Sequence, residues 1–248
     1  MHRTALRVSR TFVFVGLVFA FATGGLAQEG RGGRGRGFTL GPATEPMAPR
    51  TMDRHEGFLE IARAGDIDLL FVGDSITDGW DNAGEAVYNE HFVPLRVANF
   101  GIGGDTTQGV LWRMQNGELE GFEARLIVHM LGTNNINRND NADIVAGNRA
   151  IIAEYRTRQP QAKVLLLGVF PRGEAPDNPF RAAIGEINQG LAALADNENV
   201  FFLDIGDAFL TDDGTLTREI MPDGLHPNAT GYELWAEAMI DTVLELME

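Results

Sequence analysis

The 248-residue chain contains no cysteine. That excludes disulfides, thiol nucleophiles and thiolate metal sites together. A chain of this length can bury a full hydrophobic core without disulfides, so their absence is compatible with export. Positive charge is also scarce: 20 Lys and Arg against 35 Asp and Glu give a formal net charge of -15. A surface this acidic repels phosphate backbones and anionic membrane faces, which argues against nucleic acid as a partner. Neutral esters meet no such penalty. Long apolar runs are missing as well. The most apolar stretch, Phe12 to Ala22 (FVFVGLVFAFA), is shorter than the roughly 20 residues a bilayer span needs.

That stretch has the layout of a signal peptide. Arg3, Arg7 and Arg10 precede it, and Gly25-Leu26-Ala27 supplies small residues for cleavage. The expectation is a leader over residues 1–27 and export to the periplasm or beyond, with no stable membrane anchor after cleavage. Its removal deletes three arginines and no acid, taking the net charge to -18. The run GRGGRGRG (Gly30 to Gly37) follows, then Pro42, Pro46 and Pro49. Such composition buries little apolar area, so residues 28–51 are expected to form a disordered linker. The catalytic domain is expected over 52–248.

Within 52–248, five apolar runs lack polar alternation: Leu69–Gly73, Arg96–Phe100, Leu126–Leu131, Val164–Phe170 and Val200–Asp204. Strands covered on both faces have this pattern. Between and after them the spacing predicts helices near 83–92, 107–116, 140–158, 180–196 and 229–247. The last carries Tyr232, Trp235, Met239, Val243 and Leu246 on one stripe. Five such alternations predict an α/β fold, a parallel sheet with helices on both faces.

Sites in open parallel sheets form beyond the C-terminal strand ends. Those ends read Gly73-Asp74-Ser75-Ile76-Thr77, Asn99-Phe100-Gly101-Ile102-Gly103-Gly104-Asp105 and Gly132-Thr133-Asn134-Asn135. Asp223-Gly224-Leu225-His226-Pro227 precedes the last helix. Each piece alone has an ordinary reading as a helix cap, a tight turn or a loop hydrogen bonder. His129, inside the third run, reads as a core histidine. Acyl transfer, however, needs a nucleophile, a base, a group orienting that base and donors for an oxyanion. Ser75, His226 and Asp223 supply the first three. The N–H groups of Ser75 and Gly104, with the Asn134 amide, supply the fourth. No G-x-S-x-G is present, which excludes the usual nucleophile elbow.

These four blocks, GDSIT, NFGIGGDTT, GTNN and DGLH, resemble the SGNH/GDSL hydrolases in identity and order. The longer stretches NFGIGGDTTQGVLWRMQNGELEG and TRQPQAKVLLLGVFPRGE are similar to the catalytic subunits of intracellular platelet-activating-factor acetylhydrolases. The resemblance implies a flavodoxin-like three-layer α/β/α sandwich with a five-stranded parallel sheet. It further implies metal-independent hydrolysis of short acyl esters, acetyl above all, with no cofactor. On the same ground Ile76, Thr133 and Leu225 would crowd the acyl pocket. Those relatives are cytosolic dimers, so a homodimer is one assembly the resemblance allows, whereas the leader sets this chain apart. An exported enzyme points to acetylated sugars or polysaccharides in place of a phospholipid. Two rival readings stay open on the sequence. One is a metal-dependent phosphoesterase with Asp74, Asp78, Asp223 and His226 as ligands. The other is a glycan-binding module that has kept the fold and lost turnover.

Overall fold

A computed structural model describes residues 40–48 and 52–248. The expected leader, and residues 28–39 and 49–51 of the expected linker, lie outside the described residues. Five strands form one sheet: β1 (Leu69–Gly73), β2 (Val97–Gly101), β3 (Leu126–Met130), β4 (Lys163–Leu167) and β5 (Val200–Leu203). The order is β2-β1-β3-β4-β5 and every pairing is parallel, with Gly73 opposite both Gly101 and Met130. The chain runs from β1 out to the edge at β2, then returns across β1 to β3. That reversal opens a crevice at the C-terminal ends of β1 and β3, the switch point of such sheets.

Alternate residues of each inner strand feed two separate cores. Leu70, Val72, Ile127, Val164 and Leu166 join one cluster. Leu69, Phe71, Leu126, Val128, Leu165 and Leu167 join the other. The first is covered by helices α1 (Met52–Ala64), α4 (Thr107–Gln115), α5 (Asn141–Arg158) and α6 (Pro179–Ala192). The second is covered by α3 (Glu85–His91) and α7 (Ala229–Met247). Period-two side-chain alternation with both faces buried explains why the strands read as continuous apolar runs. The three-layer sandwich with a five-stranded parallel sheet is therefore the architecture found.

Three local expectations are corrected. Residues 40–48 do not behave as a linker: Leu40 and Ala43 are buried, and Gly41 O accepts from Gln108 Nε2 (2.9 Å) and Asn139 Nδ2 (3.0 Å). The Ala43 N–H donates to Asp143 Oδ2 at 2.8 Å, anchoring the segment to α5. Helix α1 has no counterpart among the expected helices; only His55, Phe58 and Ala62 of its thirteen residues are buried, so its apolar stripe is thin. The fourth strand ends at Leu167, three residues early, because Gly168 packs against Asp204 and Asn188 while Val169 exchanges hydrogen bonds with the Asn188 side chain.

Candidate active site

Ser75 opens α2 (Ser75–Asp78), a single turn that starts where β1 ends. Asp74 caps it, accepting from the Ile76 N–H at 3.0 Å. Ser75 is the first helical residue, so its own N–H has no intrahelical acceptor. The turn rests on an aromatic floor in which Trp80 lies 4.6 Å from Tyr232 and 4.8 Å from Trp235. The Tyr232 hydroxyl donates to Ile76 O at 2.6 Å, tying α7 to the turn that carries Ser75.

His226 arrives from the loop before α7, with Nε2 2.9 Å from Ser75 Oγ. Its Nδ1 lies 2.7 Å from Asp223 Oδ2. The other Asp223 oxygen accepts from the N–H groups of Leu225 (3.0 Å) and His226 (2.8 Å). An ionised Asp223 fixes the Nδ1–H tautomer and leaves Nε2 as the acceptor facing the serine. Burial opposes that charge, but the hydrogen bonds from His226 and Leu225 outweigh it and hold the carboxyl down at about 2. Asp223 thus stays ionised across the neutral range. Asp74 is the opposite case: burial pushes it up to about 7, against its Ile76 hydrogen bond.

The second and third blocks meet each other past the ends of β2 and β3. Gly104 has φ +76, a conformation that costs a residue with Cβ, and a side chain there would project into open space. Asn134 Nδ2 donates to the carbonyl of Asp105 at 2.9 Å, joining the two blocks directly. Ile76 is buried in the α7-side core, and Leu225 packs against that same core. Thr133 is buried, and its Oγ1 has no hydrogen-bond partner. Ile76 and Leu225 therefore belong to one core cluster, and Thr133 follows the end of β3.

The ligand set of the metal reading is dispersed. Asp78 pairs with Arg54 at 2.5 Å, Asp74 caps α2, and Asp223 and His226 hold each other. Among the described residues no three His, Cys, Asp or Glu side chains gather where they could hold a metal ion. His129 is a core histidine: Asn148 Oδ1 (2.8 Å) and the Tyr155 hydroxyl (2.9 Å) satisfy both nitrogens, and burial lowers it to about 4.

Several supporting residues escape the sequence reading. Asn99 bridges blocks one and two, donating to Thr77 O (3.1 Å) and accepting from the Gly101 N–H (3.0 Å). Arg113 is wholly buried on α4 between Val110 and Met114, held by Asp105 and Glu118. A charged side chain at core spacing was its one visible signal.

A profile of the GDSL-like lipase/acylhydrolase family matches residues 71–234. The chain is 40% identical over 200 residues to platelet-activating factor acetylhydrolase IB subunit alpha2 of Rattus norvegicus, covering 80% of this chain and 86% of that one. Two solved structures share the fold at lower identity. A GDSL-like lipase from Bacteroides thetaiotaomicron superposes with TM-score 0.62 at 19% identity, covering 77% of this chain and 97% of that one. An acetylxylan esterase from Geobacillus stearothermophilus gives TM-score 0.58 at 20% identity, covering 75% and 96%.

Proposed function

The chain belongs to the GDSL-like lipase/acylhydrolase family and is a carboxylic ester hydrolase, and on that premise we propose that it removes acetyl groups through Ser75, His226 and Asp223. The observation carrying this reading is the unbroken chain from Ser75 Oγ to His226 Nε2 (2.9 Å) and from Nδ1 to Asp223 Oδ2 (2.7 Å), at the switch-point crevice. His226 takes the Ser75 proton as Oγ bonds to the acyl carbon. The N–H groups of Ser75 and Gly104 and the Asn134 amide receive the oxyanion. Collapse breaks the ester C–O bond, and His226 returns the proton to the departing alcohol. Water, deprotonated by His226, then attacks the acyl-enzyme; acetate leaves and Ser75 Oγ regains its proton.

An acetyl-sized substrate is supported by the acetyl substrates named for the relatives, and we assign Ile76, Thr133 and Leu225 to a short acyl pocket on the family resemblance. For the alcohol we favour sugars or polysaccharides, because the N-terminal residues 1–27 have the make-up of an export leader.

The test is hydrolysis of p-nitrophenyl esters from acetyl to octanoyl, with and without EDTA. The expected result is EDTA-insensitive turnover that falls steeply beyond acetyl. Ser75→Ala should lose about 10⁴-fold or more in kcat, and Asn134→Ala about 10²- to 10³-fold. Wild-type rates in Ser75→Ala would refute the assignment.

A further inference from the structure

A line of buried ionisable side chains runs through the α4 side of the molecule and ends at the candidate oxyanion hole. His55 on α1 is buried, and its Nδ1 lies 2.7 Å from Glu118 Oε1. The other Glu118 oxygen accepts from Arg113 Nη1. Arg113 is fully enclosed and uses its whole fork: Nη2 donates to Phe100 O (3.1 Å), and Nε donates to Asp105 Oδ2 (3.0 Å). Asp105 Oδ1 accepts from the Thr106 N–H at 2.9 Å.

Asp105 occupies a position no other residue shares. It directly follows Gly104, and its N–H donates to Ile102 O (3.1 Å), closing the turn that presents the Gly104 N–H. Its carbonyl accepts one Asn134 Nδ2 hydrogen at 2.9 Å. An amide nitrogen carries two hydrogens, so this bond fixes where the second one points. The Asp105 backbone therefore sets the orientation of two oxyanion donors, and its side chain is the handle by which the buried fork grips that backbone. The sequence makes room for the grip. A Cβ on Gly109, one turn into α4, would lie 1.9 Å from Asp105 Oδ1.

We propose that Asp105 is a positioning residue for the oxyanion hole, locked in place by Arg113 and, behind it, by Glu118 and His55 of α1. This rests on the acyl-transfer reading above. Burying three charges for packing alone is a poor use of them, since apolar replacements of such groups are often as stable. A donor displaced by about 1 Å, in contrast, costs on the order of 100-fold in rate. Asp105 touches neither substrate nor Ser75 in this scheme and acts only through Gly104 and Asn134.

Gly109→Ala and Arg113→Lys separate this role from mere packing. Alanine is favoured over glycine inside a helix, so Gly109→Ala gains helix propensity while displacing the Asp105 carboxylate. Lysine keeps the charge of Arg113 but not the fork that reaches three acceptors. On the full-length protein with p-nitrophenyl acetate, both variants should lose about 10- to 100-fold in kcat with KM within about twofold. Binding of an acetyl-mimicking trifluoromethyl ketone, which forms the tetrahedral oxyanion on Ser75, should weaken by a similar factor. Asp105→Asn, which keeps an acceptor for Arg113 Nε, should fall between wild type and Asp105→Ala. Wild-type kcat and ketone affinity in folded Gly109→Ala or Arg113→Lys would overturn the proposal while leaving the esterase reading intact. Wild-type turnover in Ser75→Ala would overturn both.

Discussion

Asp74 precedes Ser75, is 1% exposed, and has one oxygen on the Ile76 N–H and the other without a partner. Its folded-state pKa of about 7 lies above the ordinary 3.8, chiefly through burial. Between those values the folded protein holds a proton that the unfolded chain has released. Stability contributed by the neutral form is therefore present at low pH and lost as pH rises from about 4 through about 7. A shift of this size corresponds to on the order of 4 kcal/mol across that window. Asn caps a helix as well as Asp and does not titrate. The stability of Asp74→Asn relative to wild type, followed by urea denaturation, should thus increase as pH rises from about 4 to about 7. A difference independent of pH would show that Asp74 is not titrating in the folded state. The meeting of Ser75 with His226 and Asp223, and of Asn134 with the turn after Gly104, was legible in the sequence because those residue types sit in short motifs at the strand ends. The state of Asp74 was not, because it is set by burial beneath residues distant in the chain.

At the scale of elements, segment 40–48 is the part most at odds with its composition. Its prolines and position after a glycine-arginine run suggest a solvated spacer, yet Ala43 is 0% exposed and its carbonyl lies 2.7 Å from where a Cβ on Gly147 would be. Hydrogen bonds from Gln108, Asn139 and the Met47 N–H tie it to α4 and to the loop after β3. Through Asn139 and Gln108 it reaches Asn135, the neighbour of Asn134. A chain beginning at residue 52 should therefore be less stable than one beginning at residue 39. The loss should be about 2 kcal/mol, or about 4–8 °C in thermal midpoint, from several hydrogen bonds offset by the entropy of ordering. Equal midpoints would mean the segment adds nothing to folding. The strands and α7 were legible because periodic burial is written in residue types. Segment 40–48 and α1 were not: backbone carbonyls and single anchors hold the former, and three inward residues define the latter.

At the scale of the whole molecule, the excess of acid acts on charged substrates as they approach. The net charge is -15, and -18 once residues 1–27 are gone. Asp78 and Asp223 lie at the site, with Arg54 engaging the former. A negative field slows anionic substrates and is indifferent to neutral ones. It is also screened, the Debye length shrinking from about 30 Å at 0.01 M salt to about 8 Å at 0.15 M. Two acetate esters of matched reactivity, one neutral and one bearing a carboxylate on the leaving group, convert this into a measurement. Raising salt over that range should increase kcat/KM for the anionic ester about 3- to 10-fold and leave the neutral ester nearly unchanged. That result would favour neutral acetylated glycans over acidic polymers as the natural alcohol. If salt instead slowed the anionic ester, local cations such as Arg54 would outweigh the global charge at the mouth. The search would then turn to acetylated polymers carrying carboxylates.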